Sequence, residues 1–217
     1  PNITIKHRVS RYHYQVHLSI IVLNYLAHAF LSFNEPAILV GNMISDFVKG
    51  KAKYSYPENI QKGINLHRAI DSFTDSHIAT QQAKIYFKPV VGLYAGAFVD
   101  VVYDHFLATD KNQFANNIAL EKFAENVYQT LQANISFLPE KFKNMLPYMQ
   151  QQNWLYNYQY NWGIDKSFQG LVRRAKYLDS SQKAFEIFEK NYVALNTCYQ
   201  LFFQDVKSFS EKEIHPI

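Results

Sequence analysis

The sequence predicts an all-α protein folded as a single-domain helical bundle, and three features carry that expectation. Turn formers are sparse, with 7 Gly and 7 Pro in 217 residues, so long elements are favoured over many short strands. Apolar residues make up 48% of the chain and recur at helical rather than alternating spacing. No repeat, low-complexity tract or Pro/Gly/Ser-rich linker divides the chain, and a compact domain of this length buries roughly 70% of the surface its unfolded form exposes.

The elements follow in order. The first 22 residues hold Lys6, Arg8 and Arg11 but no Asp or Glu. Behind them the stretch 18–33 is apolar enough to suggest a signal core, yet Asn24 and His28 interrupt it and no A-x-A-like site follows. The same two residues weigh against a membrane span, which needs ~20 mainly apolar residues. Pro36, an apolar run to Val48 and then Gly50 give a helix with Pro near its start and Gly past its end, carrying both Asn42 and Asp46. Pro57 opens a longer helix in which Ile60, Ile64, Ala69, Ile70 and Phe73 keep helical spacing, with His67, Asp71 and Asp75 on it. From Pro89 to Leu107 the apolar positions are nearly continuous, which reads as one buried central helix with Asp100, Asp104 and His105 embedded in it. Further helices are expected over 120–131, 139–152, 166–177 and 180–206, with Tyr and Phe on their packing faces. The Tyr/Asn/Gln-rich patch 150–162 is read as packing rather than as a base-stacking surface.

Composition removes several classes of function. Cys198 is the only cysteine, so there is no intramolecular disulfide and no thiolate metal site, and a reducing cytosol is the simplest compartment. Of the 22 Lys and Arg residues three lie in the first 22 positions; the remaining 19 face 18 acids, a near balance that argues against a global nucleic-acid footprint. There is no Ser-His-Asp order, Gly-rich phosphate loop or cysteine nucleophile.

The residue types that remain point to a metal. His67 and Asp71, in the run HRAID, are four apart, so on a helix their Cβ atoms lie ~6 Å apart on one face and both can reach one ion. Asp75 extends the row by a turn, and Arg68 points about 100° away, where it could meet a phosphate. Asp100 and Asp104 repeat the spacing on the next apolar segment, followed directly by His105. Burying several carboxylates without compensation costs several kcal/mol each, and a divalent cation shared between the two helices supplies that compensation. Oxygen and imidazole donors without thiolate suit Mn²⁺, Mg²⁺, Fe²⁺ or Zn²⁺, and a carboxylate-rich set favours the harder ions, Mn²⁺ first. Such an ion makes hydrolysis of a phosphodiester a matter of positioning and a cationic clamp.

Four ordered blocks carry a resemblance: NYLAHAFLS (24–32), GNMISDFVKG (41–50), GINLHRAIDSFTDSH (63–77) and DVVYDHFLA (100–108). They are similar to successive motifs of the acyl carrier protein phosphodiesterase family, and QGLVRRAKYLD (169–179) resembles a later block more loosely. The resemblance implies an all-α, HD-phosphohydrolase-like, manganese-dependent enzyme of lipid metabolism, acting in fatty acid biosynthesis. It implies hydrolysis of 4'-phosphopantetheine from the serine of holo acyl carrier protein, with apo carrier as product. It also implies Asp46, His67, Asp71, Asp104 and His105 as metal ligands or their immediate supports, with Arg68 among the catalytic residues and His28, Asp75 and Asp100 as further candidates. The Asp-His order at 104–105 is reversed relative to the HD dyad.

The resemblance begins at Leu23 or Asn24. Residues 1–22 are therefore read as a leader upstream of the true start and 23–217 as the phosphodiesterase domain. A small acidic carrier protein calls for cations near the pocket, and Lys49, Lys51, Lys53, Arg173 and Arg174 are the docking candidates. Nucleic acid and stable membrane insertion are not expected. Two other readings share these residues: an HD-type phosphohydrolase of nucleotides or other small phosphodiesters, and a non-enzymatic, carrier-binding helical module. Metal content separates the last from an enzyme.

Overall fold

A computed structural model describes residues 24–215, and among the described residues there is helix and connecting turn but no strand. The expected leader falls outside the described residues. The chain begins with α1 (Tyr25–Phe30), six residues that are too few to hold a helix by themselves. Its Tyr25, Leu26 and Ala29 are buried, and its own N-cap, Asn24, makes no side-chain capping bond. Asp104 caps it from outside: the N–H of Leu26 donates to Asp104 Oδ2 (3.1 Å) and that of Ala27 to Oδ1 (2.8 Å). A tertiary contact therefore satisfies amides that a helix start leaves orphaned.

α2 (Pro36–Ile44) opens on Pro36, whose missing N–H is one that has no partner at a helix start. It stops sooner than the apolar run to Val48 suggests. At Ser45 the chain tightens into a 3-10 turn (Ser45–Phe47), so Asp46 sits on that turn rather than on one helix with Asn42. Gly50, at φ +55°, then starts a second 3-10 segment (Gly50–Ser55) that bears Lys51 and Lys53.

α3 (Glu58–Ser76) lies against α2 more closely than side chains at the crossing would permit. A Cβ added to Gly41 would overlap the carbonyl oxygen of Ile60, and one added to Gly63 would overlap that of Ile38. Two glycines thus set the spacing that lets the main chain of α2 touch side chains of α3.

The expected single helix from Pro89 to Leu107 is two. Pro89 lies in the last turn of α4 (Ile78–Val91), and Gly92, again at φ +55°, caps that helix by donating its N–H to Lys88 O. A 3-10 turn (Gly92–Tyr94) leads into α5 (Ala95–Thr109), which is the buried central helix: all but three of its residues are buried. The helical run Ile78–Thr109 is long and apolar enough by composition to cross a membrane, but its α5 portion packs inside the bundle against α1, α4 and later helices.

The remainder covers this core. α6 (Asn117–Ala133) and α7 (Glu140–Gln151) match the expected segments within a few residues, and the four-residue α8 (Trp154–Asn157) leads into α9 (Asn161–Arg174). The expected helix over 180–206 is divided into α10 (Gln182–Lys190) and α11 (Tyr192–Ile214). Asn191 makes the division, its N–H and its side-chain amide both returning to Ile187 O.

Candidate metal centre

Three segments converge beside the N-terminal half of the bundle: α1 brings His28, the 3-10 turn after α2 brings Asp46, and α3 brings His67 and Asp71. The two imidazoles stack, with centroids 3.9 Å apart and planes at 18°. Asn42, near the end of α2, orients both. His28 Nδ1 donates to Asn42 Oδ1 (2.8 Å), while Asn42 Nδ2 donates to His28 O (2.8 Å) and Ser32 Oγ (3.0 Å), which fixes the amide's two ends. His67 Nδ1 donates to the main-chain oxygen of Asn42 (2.8 Å), which can only accept. That carbonyl is one of the last of its helix, where intrahelical partners run out. In the neutral form each ring therefore carries its proton on Nδ1 and presents the Nε2 lone pair to the centre, the arrangement found where a histidine binds a metal and donates its other nitrogen to an oxygen.

The Nε2 atoms point at carboxylates. His28 Nε2 lies 3.3 Å from Asp71 Oδ1, and His67 Nε2 lies 3.3 Å from Asp71 Oδ2 and 3.4 Å from Asp46 Oδ1. Ligand atoms of His28, His67 and Asp71 all fall within 4.8 Å of one another. His28 Nε2 is buried and, although near Asp71, is not aligned for a hydrogen bond with any group. The histidine side chains are 2% and 7% exposed, whereas Asp71 is 48% and Asp46 25% exposed, so the centre is walled by imidazoles and open on its carboxylate side.

Electrostatics tie the set together. Burial opposes a proton on His67, but Asp71 and Asp46 outweigh it and push the imidazole up to about 10. Burial and the neighbouring His67 hold His28 below its ordinary value, against the pull of the carboxylates. Asp71 is raised by burial, yet the two histidines hold it well below the usual carboxylate range. In the absence of a cation one proton occupies the space between His67 and its acids.

The other expected site residues are distributed differently. Arg68 donates to Val48 O (2.8 Å) and so braces the segment that carries Asp46. Asp75 pairs with Lys84 (2.7 Å). Asp100 faces Asp71 and Asp75, and burial followed by those two acids pushes its carboxyl well up, against Lys84. Asp104 is fully buried under α1; burial raises its carboxyl, opposed by the amides of Ala27 and Leu26 and by the Tyr158 hydroxyl. His105 points elsewhere, with Nδ1 donating to Tyr158 O (2.7 Å) and Nε2 accepting from the Tyr192 hydroxyl (2.9 Å). Asp104 and His105 therefore do not join the convergent set; the former supports the helix that carries His28. Lys49 and Lys51 are exposed next to the Asp46 turn, Lys53 donates to Asn65 Oδ1 (2.8 Å), and Arg173 and Arg174 end α9.

Asn42 is the functional residue that sequence reasoning placed without giving it a role. Its signal was present, since an amide in the apolar run of α2 four residues before Asp46 needs partners. Trp154 and Trp162, read as packing, line a cavity with Arg173 and Arg174.

An all-α bundle holding two tautomer-fixed histidines and two carboxylates at a solvent-facing opening defines a histidine–carboxylate centre of helical build. Family comparison gives that class its place. The chain belongs to the acyl carrier protein phosphodiesterase family, whose model matches residues 23–206. Among curated relatives, the acyl carrier protein phosphodiesterase of Pectobacterium atrosepticum is 31% identical over 182 residues, 83% of this chain and 94% of that protein. Those of Photorhabdus laumondii and Klebsiella pneumoniae are each 28% identical, over 83% and 88% of this chain and 91% and 99% of their own lengths. No solved structure matches the chain.

Proposed function

We propose that this protein hydrolyses 4'-phosphopantetheine from the serine of holo acyl carrier protein, using a divalent cation, Mn²⁺ first, held by His28, His67 and Asp71 with Asp46 beside them. The observation that carries the reading is the pair of Nε2 atoms, held through Asn42, that both face the Asp71 carboxylate. The donor set fits such an ion: imidazole and carboxylate without thiolate, ligand atoms within 4.8 Å, and a buried His28 Nε2 that faces Asp71 at 3.3 Å. When bound, the ion supplies Lewis-acid chemistry, activating water and neutralising charge on phosphoryl oxygens.

The chain's own residues do the rest. His28 and His67 are held rigid by their bonds to Asn42, so they need no reorganisation as substrate arrives. Asp46, on the open side and 3.4 Å from His67, is placed to take a proton from the attacking water. Arg68 fixes the Asp46 turn through Val48 O rather than reaching a phosphate. Water oxygen adds to phosphorus as the P–O bond to the serine breaks, the proton given up by water is made good on the leaving serine oxygen, and the products are apo carrier and 4'-phosphopantetheine. We place this activity in the cytoplasm and in fatty acid biosynthesis, in keeping with a family named for the carrier and with Cys198 as a free, buried thiol.

The test is incubation of the purified protein with holo carrier protein and Mn²⁺, followed by intact-mass measurement. Loss of the phosphopantetheine mass that stops with chelator and with His67→Ala is the expected result; unchanged carrier mass with every divalent ion tried would overturn the reading.

A further inference from the structure

The inference rests on the function proposed above and concerns where the organic arm of the substrate lies. A cavity of about 180 Å³ opens along α8 and α9, lined by Trp154, Tyr158, Trp162, Lys166, Arg173 and Arg174. Among the described residues none of those three cations makes an ion pair with an acid. Indole rings and uncompensated cations around a concavity suit a slender anionic ligand with an apolar body.

One residue of the cavity wall, Tyr158, is tied to the support of the centre. The Tyr158 hydroxyl meets both the Asp104 carboxyl and the backbone N–H of Tyr25, and the Tyr158 carbonyl accepts from His105. Asp104 in turn caps α1, which carries Tyr25 and His28. Tyr25 lies within electrostatic reach of both Arg174 and Asp46.

We propose that this cavity receives the pantetheine arm, its phosphate drawn to Arg173 and Arg174 and its amide chain lying between Trp154 and Trp162. Arg173 and Arg174 then bind the arm rather than the surface of the carrier, and the Asp104–His105 pair acts as a positioning device that joins the wall of the cavity to the helix bearing His28.

The chain's only two tryptophans line this cavity, so its tryptophan emission reports occupancy directly. Free 4'-phosphopantetheine titrated into the full chain should change emission saturably, with pantetheine and inorganic phosphate each binding more weakly. The double change Arg173→Gln with Arg174→Gln, at exposed positions that leave the fold intact by circular dichroism, should weaken phosphopantetheine by about tenfold or more, as two charge-assisted contacts are lost. His67→Ala should keep the emission response while losing hydrolysis. Absence of a saturable response, an equal response to inorganic phosphate, or an unchanged double variant would overturn the placement; if the wild type still strips holo carrier in that case, the proposed function stands without it. A normal emission response in a protein that never hydrolyses holo carrier supports the cavity and removes the proposed function.

Discussion

Asn42 holds two histidines at once, His28 through its side-chain oxygen and His67 through its backbone oxygen. Only the first of these depends on the side chain. Asn42→Ala should therefore free His28 to turn while His67 stays in place, and lower Mn²⁺ affinity by about 10- to 100-fold, as losses of such supporting bonds do. Titration of ion into the variant checks this, and wild-type affinity would remove Asn42 from the account. A second consequence concerns protons. His67 sits at about 10 in the cation-free protein, so its stabilising charge is fully present below its unfolded value of ~6.5 and fades as pH rises through about 10. At pH 7 that proton must leave when an ion takes its place. Calorimetry in two buffers of different ionisation enthalpy should report about one proton released per Mn²⁺ at pH 7, falling toward none above about pH 10; release of none at pH 7 would contradict a ligand role for His67. At this scale His67 and Asp71 were legible, because four-residue spacing on a helix puts them on one face whatever the rest of the fold does. The bond from Asn42 to His28 was not, because it depends on how α1 docks, which no local spacing encodes.

Helix α1 is the element on which the centre hangs, and it is short enough that outside support decides whether it forms. Asp104 accepts from the amides of Leu26 and Ala27 and meets the Tyr158 hydroxyl. Asp104→Ala would leave those buried donors unsatisfied, at roughly 1–3 kcal/mol for each group. The variant should unfold at clearly lower temperature even without metal, and Mn²⁺ should still raise its melting temperature; loss of that Mn²⁺-induced rise would show that Asp104 belongs to the ion's own shell instead. Elements were more readable than their ends. Pro36, Pro57 and the apolar periodicity announced α2 and α3, but α2 yields to a 3-10 turn at Ser45, where its last carbonyls turn to α3. The α4–α5 break was missed because the apolar run continues through Gly92; the left-handed backbone that ends α4 is a property of that one glycine. Asp104 and His105 look on paper like a second half of the metal set, since buried acids at helical spacing invite that reading. In space they face α1 and Tyr158.

For the whole molecule the question is how a carrier protein approaches. Lys49 and Lys51 are exposed in the stretch that follows the Asp46 turn, and Lys53 lies two residues beyond Lys51 on the same 3-10 segment. Replacing all three by Glu should raise KM for holo carrier while sparing a small generic phosphodiester, because charges at a rim set association rate more than chemistry. Wild-type kcat/KM for the carrier should fall with salt as the Debye length shortens from ~10 Å at 0.1 M to ~3 Å at 1 M. Carrier hydrolysis indifferent to both changes would make these lysines ordinary surface residues. The fold class was readable from composition and apolar spacing together, because few turn formers and abundant helical periodicity leave little else for this chain to build. The cavity along α8 and α9 was not, since the aromatics that line it have the same sequence signature as core packing.

Two histidines, held by one asparagine, are proposed to present Nε2 to one ion. Pulsed electron paramagnetic resonance of the Mn²⁺-loaded protein counts the nitrogens coupled to that ion. Two histidine nitrogens are expected in the wild type and one in each of His28→Ala and His67→Ala; a loaded protein showing no histidine nitrogen, or the same two after either substitution, would contradict a site shared by both imidazoles.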